Sequence, residues 1–588
     1  MRAGLSSKSE RVLVLAGDPR RAAALAGLAR PGCDVTVAIA GGSGAGGGGA
    51  AGLPSPEGYD AVVADRLAFV DSEPAEGAEG TAWVAGLQAA VENGACLLAI
   101  VPTAGHEIGH ATPTGAGSAW WELLGARPVE ARPASECYAK TGFGVDELTA
   151  RVPAEFALSD CVVTLAGNGD SYPVLSVNIA YSDRPVMLSR RLGEGRVVTS
   201  GLGQTDEALW HTEVRTILRR ALTPPGRAGS TGEIGFGVLG YGPYGGMGLY
   251  HGRAAQATAG LLFVAACDSD SGRRKVAEAE FPGLRAYDGV HDLVTDEEVG
   301  LVVVATPPST HYSLALELLE AGKHVVIEKP MCLTVAEADK LIAAASAGGL
   351  CLTVHQSRRF DADYVAVKRC VDRGLLGDVF NVETFVGTYE HPCRAWHSET
   401  SISGGAVYDW GSHHLDWILQ LMGGFPARLT AHGHKRVWHD VTNLDQVRVR
   451  LAWADGREAE FLQSDIAAIR RPKFYVQGTK GTLAGHYRPV VFERIEPGLG
   501  YVSETAHYAE APATLRYARY EPGIGLSETV MPGADMPPYS FHRNLVDHLQ
   551  FGEALAVEPD SVRRVVALLE SAKKSTDEGN VTVDLPDL

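Results

Sequence analysis

IGFGVLGYGPYGGMG, Ile234–Gly248, decides the fold. Ile234 to Leu239 is an apolar, β-prone run. Gly240-Tyr241-Gly242-Pro243-Tyr244-Gly245 breaks it, and a helix-capable segment continues through Ala259. Strand, glycine-rich turn and helix, with the glycines spaced G-x-G-x-x-G, describe a phosphate cradle. The first glycine permits the tight turn, the second lets a pyrophosphate approach the backbone, and the third lets helix and strand pack closely. The free N–H groups at the helix N-terminus then receive the anion. A second strand, Leu261 to Cys267, ends in Asp268, whose carboxylate is placed to accept hydrogen bonds from the adenosine ribose hydroxyls. Gly240, Gly242, Pro243, Tyr244, Gly245 and Asp268 are therefore the expected dinucleotide contacts. Asp268 repels a 2′-phosphate and favours NAD, while Arg273 and Arg274 nearby leave NADP possible.

Around this unit, 588 residues are enough for more than one domain with large cores. The net charge of -19 argues against nucleic acid and anionic membranes as partners, since either requires a basic surface. The nine cysteines show no C-x-x-C or metal-ligand spacing, so no metal is expected, and reduced thiols in a cytoplasmic protein are the simplest account. The first apolar run is too short for a signal peptide, and no run approaches the roughly 20 residues of a membrane span.

Residues 1–222 read as one α/β domain. Strand-like runs occur at Val12 to Ala16, Asp34 to Ala38, Ala61 to Ala64 and Cys96 to Val101, and again at Pro185 to Arg190 and Arg196 to Ser200 around a Gly193-Glu194-Gly195 turn. Ala40 to Pro54, almost all Gly, Ala and Ser, is expected to be a surface loop. Asn93 to Ile100, Trp121-Glu122-Leu123-Leu124-Gly125-Ala126 and Gly193-Glu194-Gly195-Arg196-Val197 leading to Gly201-Leu202-Gly203 resemble the trehalose-utilisation (ThuA-like) domains, relatives of the class I glutamine amidotransferase fold. The resemblance implies a flavodoxin/amidotransferase-like architecture. Where that family often places histidines, this chain has Val101 and Gln204, neither a nucleophile, a general base nor a typical metal ligand. No cysteine stands at the strand end, and His106 and His110 read as surface residues of a Gly/Thr-rich loop. The expectation is a non-catalytic domain used for assembly or for covering another active site. Residues 223–231, rich in Pro, Gly and Ser, read as a linker.

Residues 232–355 alternate strand and helix as a Rossmann unit. Leu301 to Ala305 is a strand buried on both faces, turning through Thr306-Pro307-Pro308 into a helix that carries His311; His324 to Ile327 delivers Glu328-Lys329-Pro330; Cys351 to Val354 ends at His355. Ligands bind at the carboxyl ends of such strands, which adds Arg273, Thr306, Pro307, His311, Glu328 and Lys329 to the cofactor edge. Residues 356–588 change pattern: Gln446 to Leu451 alternates strictly, Asp455-Gly456 turns into Glu458 to Gln463, and strands at Lys473 to Gln477 and within Thr482 to Arg494 complete a mostly antiparallel sheet domain with a final helix pair.

Alcohol oxidation needs a base for the hydroxyl proton and a donor that favours alkoxide character. His413 suits the first role and Lys329, at a strand end, the second. Asp409 lies four residues before His413, on the same face of a helix, where its carboxylate is expected to orient the imidazole. Tyr389, Arg394, Trp396 and His397 in TYEHPCRAWH are the residue types that stack on sugar faces and bond hydroxyls. With the glycine turn, Asp268, Glu328-Lys329-Pro330, Ser403 to Asp416 and Phe474 to Thr482, residues 233–588 resemble the glucose-fructose oxidoreductase / inositol dehydrogenase family (Gfo/Idh/MocA). The resemblance implies Lys329, Asp409 and His413 as the catalytic set, a sugar, glycoside or inositol substrate that they bind as well, and a homo-oligomer, dimer or tetramer, formed through the antiparallel sheet. Two other readings remain: a redox-neutral enzyme that holds NAD while modifying a sugar by elimination, hydrolysis or epimerisation, and an NAD- or sugar-sensing protein without turnover.

Overall fold

The computed structural model describes residues 10–16, 19–29, 33–39, 53–65, 74–101, 115–141, 147–150, 152–179, 182–223, 233–242, 246–393, 395–498, 500–506, 512–534 and 536–586. Pro243, Tyr244, Gly245, Arg394, His106, His110 and most of the Ala40–Pro54 segment lie outside them. The chain divides into two units, Met1–Thr231 with Asp547–Ala554, and Gly232–Val546 with Leu555–Leu588.

The first unit holds a nine-stranded sheet. Its parallel half runs, in spatial order, Asp34–Ile39, Arg11–Ala16, Ala61–Asp65, Cys96–Ile100 and Gly195–Ser200. Leu13, Val62, Leu97 and Val198 are wholly buried, as strands covered on both faces require. An antiparallel half continues the sheet through Ser182–Leu192, Tyr172–Ile179, Ala126–Thr141 and Glu155–Gly167. The last three strands were not anticipated. The pair Ala126–Thr141 and Glu155–Gly167 shifts register at Pro128/Glu130 and Ala134/Cys137, so prolines and bulges interrupt the period of two that marks a strand in sequence.

In the second unit six parallel strands stand in the order Arg285–Tyr287, Leu261–Cys267, Ile234–Leu239, Leu301–Val304, His324–Glu328 and Leu352–His355. A second sheet has nine strands, ordered Gly525–Met531, Ala513–Glu521, Thr482–Tyr487, Phe474–Gly478, Val379–Gly387, Glu458–Ser464, Gln446–Ala452, Arg428–His434 and Thr582–Asp584. It is antiparallel except where Val379–Gly387 runs parallel to Glu458–Ser464.

The helix Ala406–Met422 carries Asp409 and His413. It is buried on nearly every face, as a helix enclosed by other elements is. Leu415, Trp417 and Ile418 pack in one core with Phe461 and Phe474 of the sheet and Leu568 and Leu569 of the helix Pro559–Asp577. Each such side chain removed from water contributes about 1.5–3 kcal/mol. Asp416 on the same helix takes a two-pronged ion pair from Arg359 (2.8 and 2.6 Å), and the Trp417 indole donates to the Arg358 carbonyl at 3.1 Å.

Within this core Lys473 and Asp363 form a buried ion pair at 2.8 Å, and Asp363 also accepts the Ala513 N–H at 2.7 Å. Removing the cation leaves a carboxylate in an apolar interior. Lys473→Met is therefore expected to destabilise the second unit by about 3–5 kcal/mol, measured as a lowered urea midpoint of its transition, with Lys473→Arg losing less.

Candidate functional site

The parallel strands of the second unit end side by side, and the turns that leave them make one edge. Gly240 (φ +90°) passes so close to the end of Leu301–Val304 that a Cβ there would stand 2.8 Å from the Ala305 carbonyl and from the Thr306 methyl. At Gly242 (φ +55°) a Cβ would meet nothing nearer than 3.9 Å among the described residues. The helix Met247–Ala257 follows, and its N-cap, Gly246, has no side chain with which to cap the first N–H groups. A bare helix N-terminus behind a glycine turn fits a pyrophosphate. Asp268 Oδ2 accepts the Gly242 N–H at 2.8 Å and Oδ1 accepts the Asp270 N–H at 2.9 Å, which puts the carboxylate against the turn, where a ribose would lie. Arg274 caps this strand end by donating to the Asp268 carbonyl at 2.7 Å, and Arg273 lies in the first turn of Ser271–Glu280. Thr306 follows the neighbouring strand, its hydroxyl bonded to Thr310 at 2.8 Å, and Pro307 caps the next helix.

Lys329 follows the strand His324–Glu328, and its Nζ lies 2.6 Å from Asp409 Oδ1 and 3.3 Å from the Asp409 carbonyl. The two side chains keep 24% and 32% of their surface, so the pair is open to a ligand. Burial pushes the Asp409 carboxyl up, but the Lys329 charge and hydrogen bond outweigh it and hold the group below its ordinary range. His413 is buried, and its Nδ1 lies 3.0 Å from Gln356 Oε1. Burial first, then the charges of Lys329 and Arg358 and the neighbouring His414, hold its pKa well below 6.5, so the ring is neutral. Asp409 was expected to orient this imidazole. It is bonded to Lys329 instead, because the ammonium competes for the same carboxylate, and Gln356 is the histidine's partner.

His414, the adjacent imidazole, points into the core against Trp417 and Phe461 (4.7 and 5.0 Å between ring centres). His397 feels the charges of both Asp409 and Lys329 and stacks on Trp396 with centres 3.6 Å apart, so this aromatic pair belongs to the site. Tyr389 is half-exposed and packs edge-on against Trp438. Asp465, just beyond the strand Glu458–Ser464, is a carboxyl that feels the charge of Asp409. Burial, then Asp409 and Asp445, raise it to about 7. Gln356 was missed although it directly follows the strand end at His355, where the strand-end rule applies.

Glu328 and His311 serve the edge differently from the direct cofactor contact expected of them. Glu328 Oε1 accepts from His251 Nε2 at 2.9 Å and His355 Nδ1 at 2.7 Å, and Oε2 accepts the Lys329 N–H at 3.1 Å. His251 Nδ1 faces His542 Nε2 at 2.9 Å. Since a carboxylate only accepts, His251 donates through Nε2, and its neutral ring then takes the His542 proton at Nδ1. His311 lies between two carbonyls, Pro330 and Thr306, both at 2.7 Å. Both groups are spent on tying strand ends together.

In the first unit, Gln204 Nε2 donates to the Val101 carbonyl at 2.9 Å, so the two positions that hold histidines in the ThuA-like pattern are joined to each other here. Beside them Arg21 makes a buried pair with Asp65 (2.6 and 2.8 Å), and Asp160 accepts the N–H groups of Gly203, Gln204 and Thr205. Among the described residues no helix is long and apolar enough to cross a membrane.

Comparison with known proteins finds relatives of the second unit. Residues 234–356 match the model of the oxidoreductase family with an NAD-binding Rossmann fold, GFO/IDH/MocA, and residues 364–484 match that family's C-terminal domain. An uncharacterized oxidoreductase of Schizosaccharomyces pombe is 38% identical over 26% of this chain and 42% of its own length. The scyllo-inositol 2-dehydrogenase (NADP(+)) IolW of Bacillus subtilis is 24% identical over 59% of this chain and 94% of its own. The crystal structure of an NAD-binding protein from Listeria innocua, 26% identical, superposes with a TM-score of 0.51 over 60% of this chain and 97% of that one. The second unit is thus similar, in both of its sheets, to NAD(P)-binding oxidoreductases of the Gfo/Idh/MocA type.

His251, His413, His414 and His542 all have pKa values held below 6.5 by burial first of all. The unfolded chain takes up these protons near pH 6.5 and the native rings do not, so their contribution is intact above that pH and is lost as pH falls below it. Glu328, held well below 4.5, adds a further loss only at more acid pH. The melting temperature is expected to be level from pH 8 to 7 and to fall steadily from 6.5 to 5, as followed by circular dichroism.

Proposed function

We propose that the second unit oxidises a ring secondary hydroxyl of a sugar, glycoside or inositol, with NAD as the preferred acceptor. The observation that carries the reading is the 2.6 Å contact of Lys329 with Asp409 beside a buried, neutral His413. His413 takes the hydroxyl proton. Lys329 donates to the substrate oxygen and favours its alkoxide character, and Asp409 keeps the ammonium in place. Bound nicotinamide supplies the hydride acceptor. The stacked Trp396 and His397 offer a flat face for a sugar ring, in keeping with the inositol named for the Bacillus relative. Asp268 against the glycine turn disfavours a 2′-phosphate and supports NAD over NADP.

Nicotinamide reduction across a panel of inositols, sugars and glycosides tests the assignment. Lys329→Met and His413→Asn are each expected to lower kcat at least about 100-fold, with His413→Asn leaving NAD affinity within twofold. Equal rates for wild type and both variants on every substrate sink the proposal. Asp268→Ser is expected to narrow the preference for NAD over NADP, read from the two Kd values.

The first unit we read as non-catalytic, on the strength of the Gln204–Val101 and Arg21–Asp65 bonds. For assembly we infer a homo-oligomer through the outer strands of the nine-stranded sheet in the second unit, where Tyr520, Leu526 and Val530 are 69%, 81% and 63% exposed. Light scattering is expected to give a multiple of the chain mass, and Leu526→Glu with Val530→Glu the single mass.

A further inference from the structure

Gln356 directly follows the strand Leu352–His355 and is 1% exposed. Its amide bridges two groups on the helix Ala406–Met422, with Nε2 3.0 Å from the Ser412 carbonyl and Oε1 3.0 Å from His413 Nδ1. A carbonyl oxygen cannot donate, so the end of the amide that faces Ser412 is the nitrogen. The end that faces His413 is therefore the oxygen, which only accepts, so His413 Nδ1 carries the proton. In a neutral imidazole the other nitrogen is then bare.

We propose that Gln356 is a positioning residue that fixes His413 as its Nδ1–H tautomer and leaves Nε2 as the proton acceptor of the dehydrogenase. The assignment rests on the dehydrogenase reading for its consequence, though not for the tautomer itself. The chemistry of the partner matters as much as its place. A carboxylate at Nδ1 stabilises the imidazolium and raises its pKa; an uncharged amide orients the ring without doing so. The charged and titratable groups around the ring are Lys329, Arg358 and His414, which disfavour a second proton, and Glu328, which favours it. Gln356 holds the ring between them as a base ready at neutral pH. The neighbouring His355 holds Glu328, which directly precedes Lys329, so consecutive residues at one strand end brace both the base and the lysine.

The test uses the full chain. In protein carrying 15N-labelled histidine, the His413 resonances, identified by their loss in His413→Asn, are expected to show protonated Nδ1 and bare Nε2. In Gln356→Leu that signature should give way to the other tautomer or a mixture. Gln356→Leu is expected to lower kcat about 10- to 100-fold, with NAD affinity within twofold. Gln356→Glu should move the acid limb of kcat/KM upward by about one pH unit or more. A protonated Nε2 in the wild-type spectrum overturns the proposal, as does a Gln356→Leu enzyme with wild-type kcat and pH profile. The wild-type spectrum decides even if the variants fail to fold. A wild type that oxidises no polyol but shows the Nδ1–H signature refutes the dehydrogenase reading and leaves the tautomer assignment standing.

Discussion

An ammonium and a carboxylate meeting between two elements distant in sequence is the constraint on which the rest of the second unit depends. Lys329 arrives from a parallel strand and Asp409 from the first turn of the helix Ala406–Met422, and they close to 2.6 Å. That helix end is itself favourable to an anion, since the dipole places partial positive charge there. The carboxyl stays ionised and the lysine is held at the strand end. Both keep enough exposed surface for a ligand to reach them. An ion pair this open to water contributes little to stability by itself. Its consequence is positional.

Behind that pair the site is built from neutral imidazoles. Burial strips His251, His413, His414 and His542 of their charge. Three of these rings have no obvious reactive duty: His251 and His542 help to cage Glu328, and His414 fills space between Trp417 and Phe461. His413 differs because it lies within reach of the Lys329 charge and is bonded to an amide rather than to an anion. The same physical effect, desolvation, thus leaves one histidine packed among aromatic rings and its neighbour facing an amide and a lysine. The approach of other groups decides between them.

The first unit carries a similar parallel half-sheet. At its strand ends, the positions inspected for histidines are joined to each other, and the nearby charges are paired internally.

The alternation of apolar strands with helices, the G-x-G-x-x-G turn and the strictly alternating run at Gln446 were legible without coordinates, because strand and helix periods and glycine's backbone freedom are local properties. The same holds for Lys329, Asp409 and His413 as a set of residue types. The long strands Ala126–Thr141 and Glu155–Gly167 were not legible, since prolines and bulges hide their period. Nor was the parallel alignment of Val379–Gly387 with Glu458–Ser464. Which group Asp409 bonds, the turning inward of Glu328 and His311, and the choice of Gln356 to hold His413 belong to tertiary structure alone. Residue type sets what a side chain is able to donate or accept, but competition among neighbours in three dimensions selects its partner.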